Sequence, residues 1–514
     1  MELKKNICRN ETSLWLATTP VTDFEPLQEN GQLEVDVAVV GAGIAGITTA
    51  LLLKNEGLTV ALIDAERVAT GVSGYTTGKI TAQHILIYSY LMEKFGYKLA
   101  KQYADANIAA ISMIKELIRV YNIECDFFNK TAFTYAETDE TLKEVHNEVK
   151  TSKRLGLPAY FTRDVPIPIP AKGAVCFSGQ GQFHPRKYLL ALVKEIPGNG
   201  SYIFEKTRAM DLKEGSPCRL YTNRGEVLAK DIVISTHFPF YDKPGQYYDR
   251  MKAGRIYTFA MKLNTPFPDG VFISAEKDIY SFRSQPYKNG EMIIAGGQEH
   301  LTGIVEDTLA RVSLLYDYVK QFFEIDYIEF CWSSQDNNTV DMVPYIGKYL
   351  PDSRHIYITT GFNGWGMTHG TISAMVLRDM ITEKISPWQD VYDPSRFKLS
   401  ISKESSSSSK AESRKAVREF LINKPESYLS DMNNGEGRII EIEGNKVALY
   451  KTPEGGGIFL NPACPHMNCL VRFNAAEKSW DCPCHGSRFD SLGKVSNSPA
   501  VEDLPVLLEY KKIK

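Results

Sequence analysis

The sequence predicts an α/β dinucleotide-binding domain that carries an antiparallel-sheet substrate domain and is followed by a small all-β domain. Three observations predict this architecture. A buried strand, a glycine-rich turn and an apolar helix follow one another between residues 35 and 53. Several strand-like runs occupy residues 240 to 300. A serine run then separates this region from a C-terminal segment that begins with a predicted strand pair.

The first domain begins with the dinucleotide fingerprint. The strand Val35–Val40 leads into Gly41-Ala-Gly43-Ile44-Ala45-Gly46, and Asp64 follows the second strand, 18 residues after the last glycine. A GxGxxG run alone is weak evidence for dinucleotide binding, but here a strand precedes it, a helix follows it and an acidic residue ends the second strand, which completes the motif. Gly41 makes the turn, Gly43 admits the pyrophosphate and Gly46 lets helix and strand pack. Asp64 is expected to accept hydrogen bonds from ribose hydroxyls.

The spacing of apolar residues predicts the later helices and strands of this domain. Predicted helices are Tyr88–Tyr121 and Thr141–Leu155, and predicted strands are Cys125–Tyr135, Arg255–Lys262, Ile279–Arg283 and Met292–Ala295.

The serine-rich stretch from 402 to 412 marks the clearest boundary, because this composition cannot build a core. We predict a lead segment at 1–30, the dinucleotide-binding domain at 31–398 with its substrate sheet inserted at about 240–325, a linker at 399–415, and the β domain at 416–514. A helical piece is expected near Arg414–Phe420. The strand pair Arg438–Tyr450 turns at Gly444-Asn445.

Composition excludes several classes of protein. The 514 residues are 43% hydrophobic and 24% charged, with a net charge of −3, which gives no basis for nucleic-acid binding. No apolar run reaches the roughly 18 residues that span a bilayer, and the N-terminus lacks the apolar core of a secretory signal. We therefore expect a cytoplasmic protein without a transmembrane segment.

The fingerprint alone does not choose between FAD and NAD. Residues 33 to 395 resemble the FAD-dependent oxidoreductases of the D-amino-acid oxidase superfamily, which includes glycine and sarcosine oxidases. The resemblance rests on the glycine-rich run 71–79, the strand 231–237 and the turn 361–368. It implies FAD contacts from Gly41, Gly43, Ile44, Ala45, Gly46, Asp64, Ser73, Gly74, Thr76, Thr77, Lys79, Ala209, Thr236, Gly361, Asn363, Gly364, Trp365, Gly366, Met367 and Thr368. No second GxGxxG follows, which disfavours a nicotinamide reductant.

Catalytic residues are harder to predict, because hydride transfer to a flavin is the cofactor's own chemistry. Lys79 is a candidate for stabilising the charge of the reduced flavin, and Arg283 is a candidate clamp for a substrate carboxylate. His84 and His184 are expected to be structural histidines. Trp332 and Asp336 could either line the substrate site or simply pack in the core.

Near the C-terminus, Cys464-Pro-His466 and Cys482-Pro-Cys484-His485 are separated by fifteen residues, 467 to 481. Two Cys-plus-His pairs suit a [2Fe–2S] centre with two thiolate and two imidazole ligands, or a zinc site. The flanking residues, in CPHMNC and CPCHGSRFD, favour the first, because they resemble the Rieske family. That resemblance implies Cys464 and Cys482 on one iron, His466 and His485 on the other, and a Cys469–Cys484 disulfide.

Two further features concern the reduction potential of the cluster and the redox state of the remaining cysteines. Phe489 stands where high-potential Rieske members carry a tyrosine that donates to a ligand sulfur, and Ser487 is placed to donate toward a bridging sulfide. Fewer donors lower the potential. The other cysteines, Cys8, Cys125, Cys176, Cys218 and Cys331, are expected to be reduced.

Together, the two cofactor motifs predict an enzyme that oxidises a small substrate, such as an amine or amino acid, at FAD. Its cluster then passes electrons singly to an external one-electron carrier. No residue excludes electron transfer in the opposite direction, from a carrier through the cluster to FAD and then to a substrate. The alternative is a redox sensor or electron-transfer adaptor without turnover of its own. A Rieske oxygenase needs a 2-His-1-carboxylate iron site, and no such cluster of residues stands out.

Overall fold

The computed structural model describes residues 7–397 except 243 and 306, residue 421, and residues 425–511. The predicted linker and the predicted helical piece near 414–420 lie outside the described residues. The α-helices are α1 Leu14–Ala17, α2 Ile44–Asn55, α3 Ile87–Val120, α4 Asp139–Arg154, α5 Pro185–Val193, α6 Thr308–Phe322, α7 Gly366–Ile381 and α8 Gln389–Tyr392. None of the helices in these described parts is long and apolar enough to cross a bilayer.

The dinucleotide-binding fold is present as predicted. Its parallel core has the spatial order Ile356–Thr360, Glu226–Ile234, Gln32–Val40, Val60–Ile63 and Tyr202–Phe204. Tyr345–Lys348 pairs antiparallel at one edge, and the strands Ala209–Lys213 and Cys218–Thr222 extend Glu226–Ile234. Helix α2 is buried from Ile44 to Leu53 and packs against α7.

The substrate sheet is larger than the predicted insertion at 240–325, and it is mixed. Its ten strands are Cys8–Asn10, Lys79–Ile80, Phe128–Ala136, Ala159–Thr162, Gly173–Gln182, Met251–Leu263, Val271–Ser274, Ser281–Tyr287, Gly290–Leu301 and Ile325–Thr339. Two pairings are parallel: Val271–Ser274 with Phe128–Ala136, and Cys8–Asn10 with Ile325–Thr339. The sequence underestimated this sheet because pairing between distant segments leaves no local pattern.

One cysteine prediction was wrong. Cys8 and Cys331 form a disulfide with Cα atoms 6.1 Å apart, because the parallel pairing of Cys8–Asn10 with Ile325–Thr339 brings them together. Cys125, Cys176 and Cys218 are buried and free.

The C-terminal domain is all-β, as predicted, and consists of two four-stranded antiparallel sheets. The first contains Gly437–Ile442, Asn445–Lys451, Gly457–Leu460 and Val506–Tyr510. The second contains Arg472–Asn474, Ser479–Asp481, Arg488–Asp490 and Val495–Asn497. The predicted strand pair turns at Gly444, where the φ angle is 73°.

Candidate active site and metal centre

A cavity of about 380 Å³ lies between the two sheets of the first domain, at the N-terminus of α2. It brings together sixteen of the twenty predicted FAD contacts. They are Gly41, Gly43, Ile44, Ala45, Asp64, Ser73, Thr76, Thr77, Lys79, Ala209, Thr236, Asn363, Gly364, Trp365, Gly366 and Met367. The other four, Gly46, Gly74, Gly361 and Thr368, do not line it.

Gly46 is absent from the wall because it faces the preceding turn. A Cβ atom at this position would lie 1.8 Å from the carbonyl oxygen of Gly41 and 2.8 Å from Ser235 Oγ. Only glycine therefore allows α2 to approach the strand this closely. The first residues of α2 line the cavity. There the free N–H groups and the partial positive charge of the helix N-terminus suit a phosphate.

Asp64 lies at the end of Val60–Ile63 and lines the cavity beside this helix N-terminus. Its Oδ2 accepts a hydrogen bond from the N–H of Ala42 at 2.7 Å, and its Oδ1 accepts one from Glu66 at 2.8 Å. Burial raises the pKa of this carboxyl to about 6. Each oxygen can accept a further hydrogen bond, so the carboxylate can hold the turn and a ligand hydroxyl together.

Arg283 does not line the cavity, so the predicted substrate clamp is wrong. Its side chain is fully buried, and its guanidinium donates to the carbonyl oxygens of Thr77 at 2.6 Å and Phe183 at 3.0 Å. A guanidinium committed to main-chain carbonyls cannot grip a carboxylate. Arg283 instead holds the glycine-rich loop, and Trp15 of the lead segment does the same by donating to the carbonyl of Thr76.

Lys79 lines the cavity, and its ammonium has no hydrogen-bond partner in the part of the chain that the structure describes. Burial, with a smaller contribution from the charge of Arg283, lowers the pKa of Lys79 to about 7. Such an amine is present in both its neutral and its charged form near neutral pH, which suits proton transfer.

Two carboxylates face the same cavity. Asp336 lies on Ile325–Thr339, and burial followed by the charge of Glu299 raises the pKa of Asp336 to about 7. Glu299 accepts a hydrogen bond from Asn338 Nδ2 at 2.9 Å. Sequence reasoning left Asp336 open and missed Glu299, because nothing local shows that the strand carrying Glu299 continues along the cavity.

The remaining candidates have structural roles, as expected for the two histidines. His84 contacts the Tyr103 hydroxyl at 2.7 Å and the Thr81 carbonyl at 2.9 Å. His184 caps α5 by accepting the N–H of Lys187. Trp332 packs in a buried cluster, and its indole N–H donates to the carbonyl of Tyr75.

The four predicted cluster ligands come together in the C-terminal domain, where it meets the first domain. The neighbouring Cys482 thiol, followed by the backbone of His466 and the Ser487 hydroxyl, lowers the pKa of Cys464. The imidazoles of His466 and His485 lie 5.0 Å apart between ring centroids. Both Nδ1 atoms are buried without a hydrogen-bond partner among the described residues, as expected for nitrogens that bind a metal.

Cys469 and Cys484 form the predicted disulfide, with an S–S distance of 2.03 Å. It ties the two ligand loops together and leaves Cys464 and Cys482 as free thiols. Two thiolates and two imidazole Nδ1 atoms fit a [2Fe–2S] cluster with two ligands on each iron.

Phe489 is fully buried in the same core cluster as Cys464 and Cys482. We expect Phe489→Tyr to raise the reduction potential of the cluster, because a hydroxyl donor to sulfur stabilises the electron-rich reduced state. One neutral hydrogen bond contributes roughly 0.5–1.5 kcal/mol, which corresponds to about 20–65 mV for one electron. A redox titration followed by EPR measures the shift. Ser487→Ala, which removes a donor, should lower the potential, and an intact Phe489→Tyr cluster at unchanged potential would contradict the prediction.

The two domains are in direct contact, which the predicted linker did not indicate. The Arg255 guanidinium and the Ser333 hydroxyl both contact the Glu477 carboxylate of the C-terminal domain. Gln335 Nε2 donates to the carbonyl of Gly486, in the second ligand loop, at 2.9 Å. A Cβ atom at Gly486 would lie 2.2 Å from the Cβ of Ala253, so the loop packs tightly on the substrate sheet.

One layer of strands separates the cavity from the second ligand loop. Side chains alternate between the two faces of a strand. On Ile325–Thr339, Ser334 and Asp336 line the cavity, whereas Ser333 and Gln335 contact the C-terminal domain. At its margin the cavity is also lined by Ser496, Asn497, Ser498 and Val501 of that domain.

These features define an FAD-dependent oxidoreductase with an iron–sulfur centre. Residues 36–380 match the FAD dependent oxidoreductase family and residues 424–508 match the Rieske [2Fe-2S] domain, so the chain belongs to the FAD dependent oxidoreductase family and carries a Rieske domain. It therefore binds FAD and a [2Fe–2S] cluster.

One relative aligns with nearly the whole chain, and another aligns with less than half of it. A Bacillus subtilis protein named as a Rieske 2Fe-2S iron-sulfur protein, YhfW, is 34% identical over 95% of this chain and 96% of its own length. The gamma-glutamylputrescine oxidoreductase of Escherichia coli is 25% identical over 43% of this chain and 52% of its own length.

Solved structures share the fold of the first domain. Glycine oxidase from Geobacillus kaustophilus superposes with a TM-score of 0.60 at 17% identity, covering 71% of this chain and 100% of that one. L-proline dehydrogenase from P. horikoshii superposes with a TM-score of 0.58 at 17% identity, covering 72% and 98%.

Proposed function

We propose that this protein takes two electrons from a small amine at FAD and passes them singly, through its Rieske cluster, to an external one-electron carrier. The observation that carries this proposal is the single layer of strands between the cavity and the second ligand loop. FAD accepts a two-electron equivalent, and a [2Fe–2S] cluster carries one electron at a time. Joining both in one chain makes the transfer intramolecular.

The residues divide into two sets. The cavity residues from Gly41 to Asp64 hold the dinucleotide, and the loop 71–79 and the turn 361–367 hold the flavin. Cys464 and Cys482 bind one iron, and His466 and His485 bind the other. The flavin domain spans 31–398 and the Rieske domain 416–514, and we place the protein in the cytoplasm.

The charges in the cavity favour an amine over an amino acid. Two arginines line the cavity, and each forms an ion pair with a glutamate. Arg208 pairs with Glu66 and Arg255 pairs with Glu477, so neither is free to bind a carboxylate. Glu299 instead offers negative charge, and Asp336 adds to it as the pH rises above about 7, where its carboxyl loses its proton; both carboxylates suit an ammonium group. The name of the Escherichia coli relative, gamma-glutamylputrescine oxidoreductase, also refers to a derivative of a diamine.

Lys79 is the candidate base. An ammonium substrate must lose a proton before the adjacent C–H bond is oxidised, because only the neutral amine has an electron pair to form the C=N bond. Since the pKa of Lys79 is lowered to about 7, its neutral form is available to accept that proton.

An anaerobic screen tests the proposal. Holoprotein is mixed with matched pairs of compounds, each an amine and the amino acid that differs from it by an α-carboxylate, while flavin absorbance and the cluster spectrum are recorded together. We expect an amine to bleach the flavin and the cluster to be reduced afterwards. Bleaching by the amino acids alone would contradict the amine assignment. No bleaching by any compound would favour the adaptor function.

Asp336→Asn is expected to raise KM for the amine about tenfold with kcat little changed. The amide keeps the shape and one acceptor but removes the charge, and a hydrogen bond to a charged group exceeds a neutral one by about 1–1.5 kcal/mol. Steady-state kinetics with the amine found in the screen measure this above pH 7, where the Asp336 carboxyl is ionised. Asp352→Asn is the control, because Asp352 is exposed and does not line the cavity. Equal KM values in both variants would place the ammonium elsewhere.

A further inference from the structure

Asp242 lies in the segment between Glu226–Ile234 and Met251–Leu263, where the flavin domain meets the Rieske domain. Its side chain is only 2% exposed. Oδ1 accepts a hydrogen bond from the N–H of Tyr247 at 2.7 Å. Oδ2 is buried and has no hydrogen-bond partner in the described ranges of the chain. A buried carboxylate oxygen without a partner is costly, and this one requires an explanation.

The nearest polar atom across the interface belongs to a cluster ligand. His466 Nε2 lies 3.5 Å from Asp242 Oδ2, and the His466 side chain is 7% exposed. Neither nitrogen of this ring has a hydrogen-bond partner among the residues described. Tyr248 packs edge-on against both imidazoles, with ring centroids 5.9 Å from His466 and 5.3 Å from His485. The contact is therefore enclosed by protein on both sides.

A histidine that binds a metal through one ring nitrogen commonly donates its other N–H to a carboxylate or carbonyl, which fixes the tautomer and the ring orientation. With Nδ1 of His466 free for iron, Nε2 carries the hydrogen, and Asp242 is the acceptor within reach. We propose that Asp242 of the flavin domain is a positioning residue for the Rieske cluster. It accepts the Nε2–H of His466 and holds the histidine edge of the cluster against the flavin domain.

This contact brings a charge to the cluster from the other domain. The charges on the sheet side of the interface are balanced, because Glu477 lies between Arg255 and Arg488, and Asp481 also pairs with Arg488. The only ion-pair contact of Asp242 within the described residues is His466. Negative charge beside the ligand disfavours adding an electron, so Asp242 lowers the reduction potential of the docked cluster.

The test is Asp242→Asn in the full-length holoprotein. Asparagine keeps an oxygen for the N–H of Tyr247 but removes the negative charge at His466. Cluster and FAD contents are measured first, and a redox titration with dithionite and mediators is then followed by EPR. Asp249→Asn is the control, because Asp249 lies in the same segment, is exposed, and makes the same change in net charge.

We expect the one-electron equilibrium of Asp242→Asn to shift about tenfold toward the reduced cluster, which is a rise of 59 mV. The EPR g-values should change as well, and Asp249→Asn should match the unsubstituted protein. Loss of the cluster from Asp242→Asn alone, with FAD retained, also supports the positioning role. An intact cluster at unchanged potential and with an unchanged spectrum overturns it.

The inference rests on the ligand assignment proposed above but not on the amine substrate. The titration uses a chemical reductant, so it succeeds or fails independently of substrate oxidation. The assignment of His466 is tested separately, by removing that imidazole.

Discussion

His466→Ala is expected to yield a protein with FAD but with less than about a tenth of the cluster of the unsubstituted chain. Removing the imidazole leaves one iron with a single protein ligand. Alanine offers no donor, and the Nδ1 of His485 cannot serve both positions. Iron and acid-labile sulfide, measured per FAD, give the result, and the unsubstituted protein should contain one FAD and one [2Fe–2S] cluster.

The control for this variant is Met467→Ala, at the next position in the same loop. Met467 is 47% exposed, so its removal tests the loop without touching a ligand. Full cluster content in His466→Ala, or zinc without sulfide in the unsubstituted protein, would show that the ligand assignment is wrong. FAD should remain because none of the four ligands lines the cavity. Loss of FAD together with the cluster would show that the two docked domains fold as one unit.

Asp64→Ala is expected to weaken FAD binding about ten- to a hundred-fold. The substitution removes the acceptor for a ribose hydroxyl, and hydrogen bonds to charged groups contribute about 1.5–3 kcal/mol. It also removes the acceptor for the N–H groups of Ala42 and Glu66, which loosens the turn at the N-terminus of α2. Both effects act in the same direction. Flavin fluorescence during titration of the apoprotein with FAD measures the dissociation constant.

Asp64→Asn separates the two contributions. The amide oxygen can still accept one of the two backbone hydrogen bonds but carries no charge, so we expect a smaller loss of affinity than with alanine. Affinity that is unchanged in both variants would show that Asp64 does not contact the dinucleotide.

The chemistry-bearing loops could be predicted from sequence because their residues are close together along the chain. The glycines of the fingerprint are separated by one and two residues, and each ligand pair lies within three or four residues. At such separations local geometry dictates what the side chains can reach. The α/β fold and the all-β domain therefore followed from local patterns, whereas the choice of FAD over NAD and of a [2Fe–2S] cluster over zinc depended on the resemblance of these loops to two known families.

Arg283 shows where this reasoning fails. Arg283 lies on a strand, as predicted, although this strand runs from Ser281 to Tyr287 and not from Ile279 to Arg283. Its role as a substrate clamp was predicted wrongly, because the carbonyl oxygens that bind its guanidinium come from residues 100 and 206 positions away. The width of the substrate sheet and the Cys8–Cys331 disulfide depended in the same way on pairing between distant segments.

The docking of the Rieske domain was decided only by the tertiary structure. A linker-like composition indicates where one core ends, but it carries no information about which surfaces then meet. The contacts of Asp242 with His466 and of Gln335 with Gly486 join residues 224 and 151 positions apart. By itself, the sequence determined which cofactors the chain binds and where their loops lie. The packing of one domain on the other placed the cluster ligands against the flavin domain, because burial and hydrogen bonding across an interface depend on both surfaces at once.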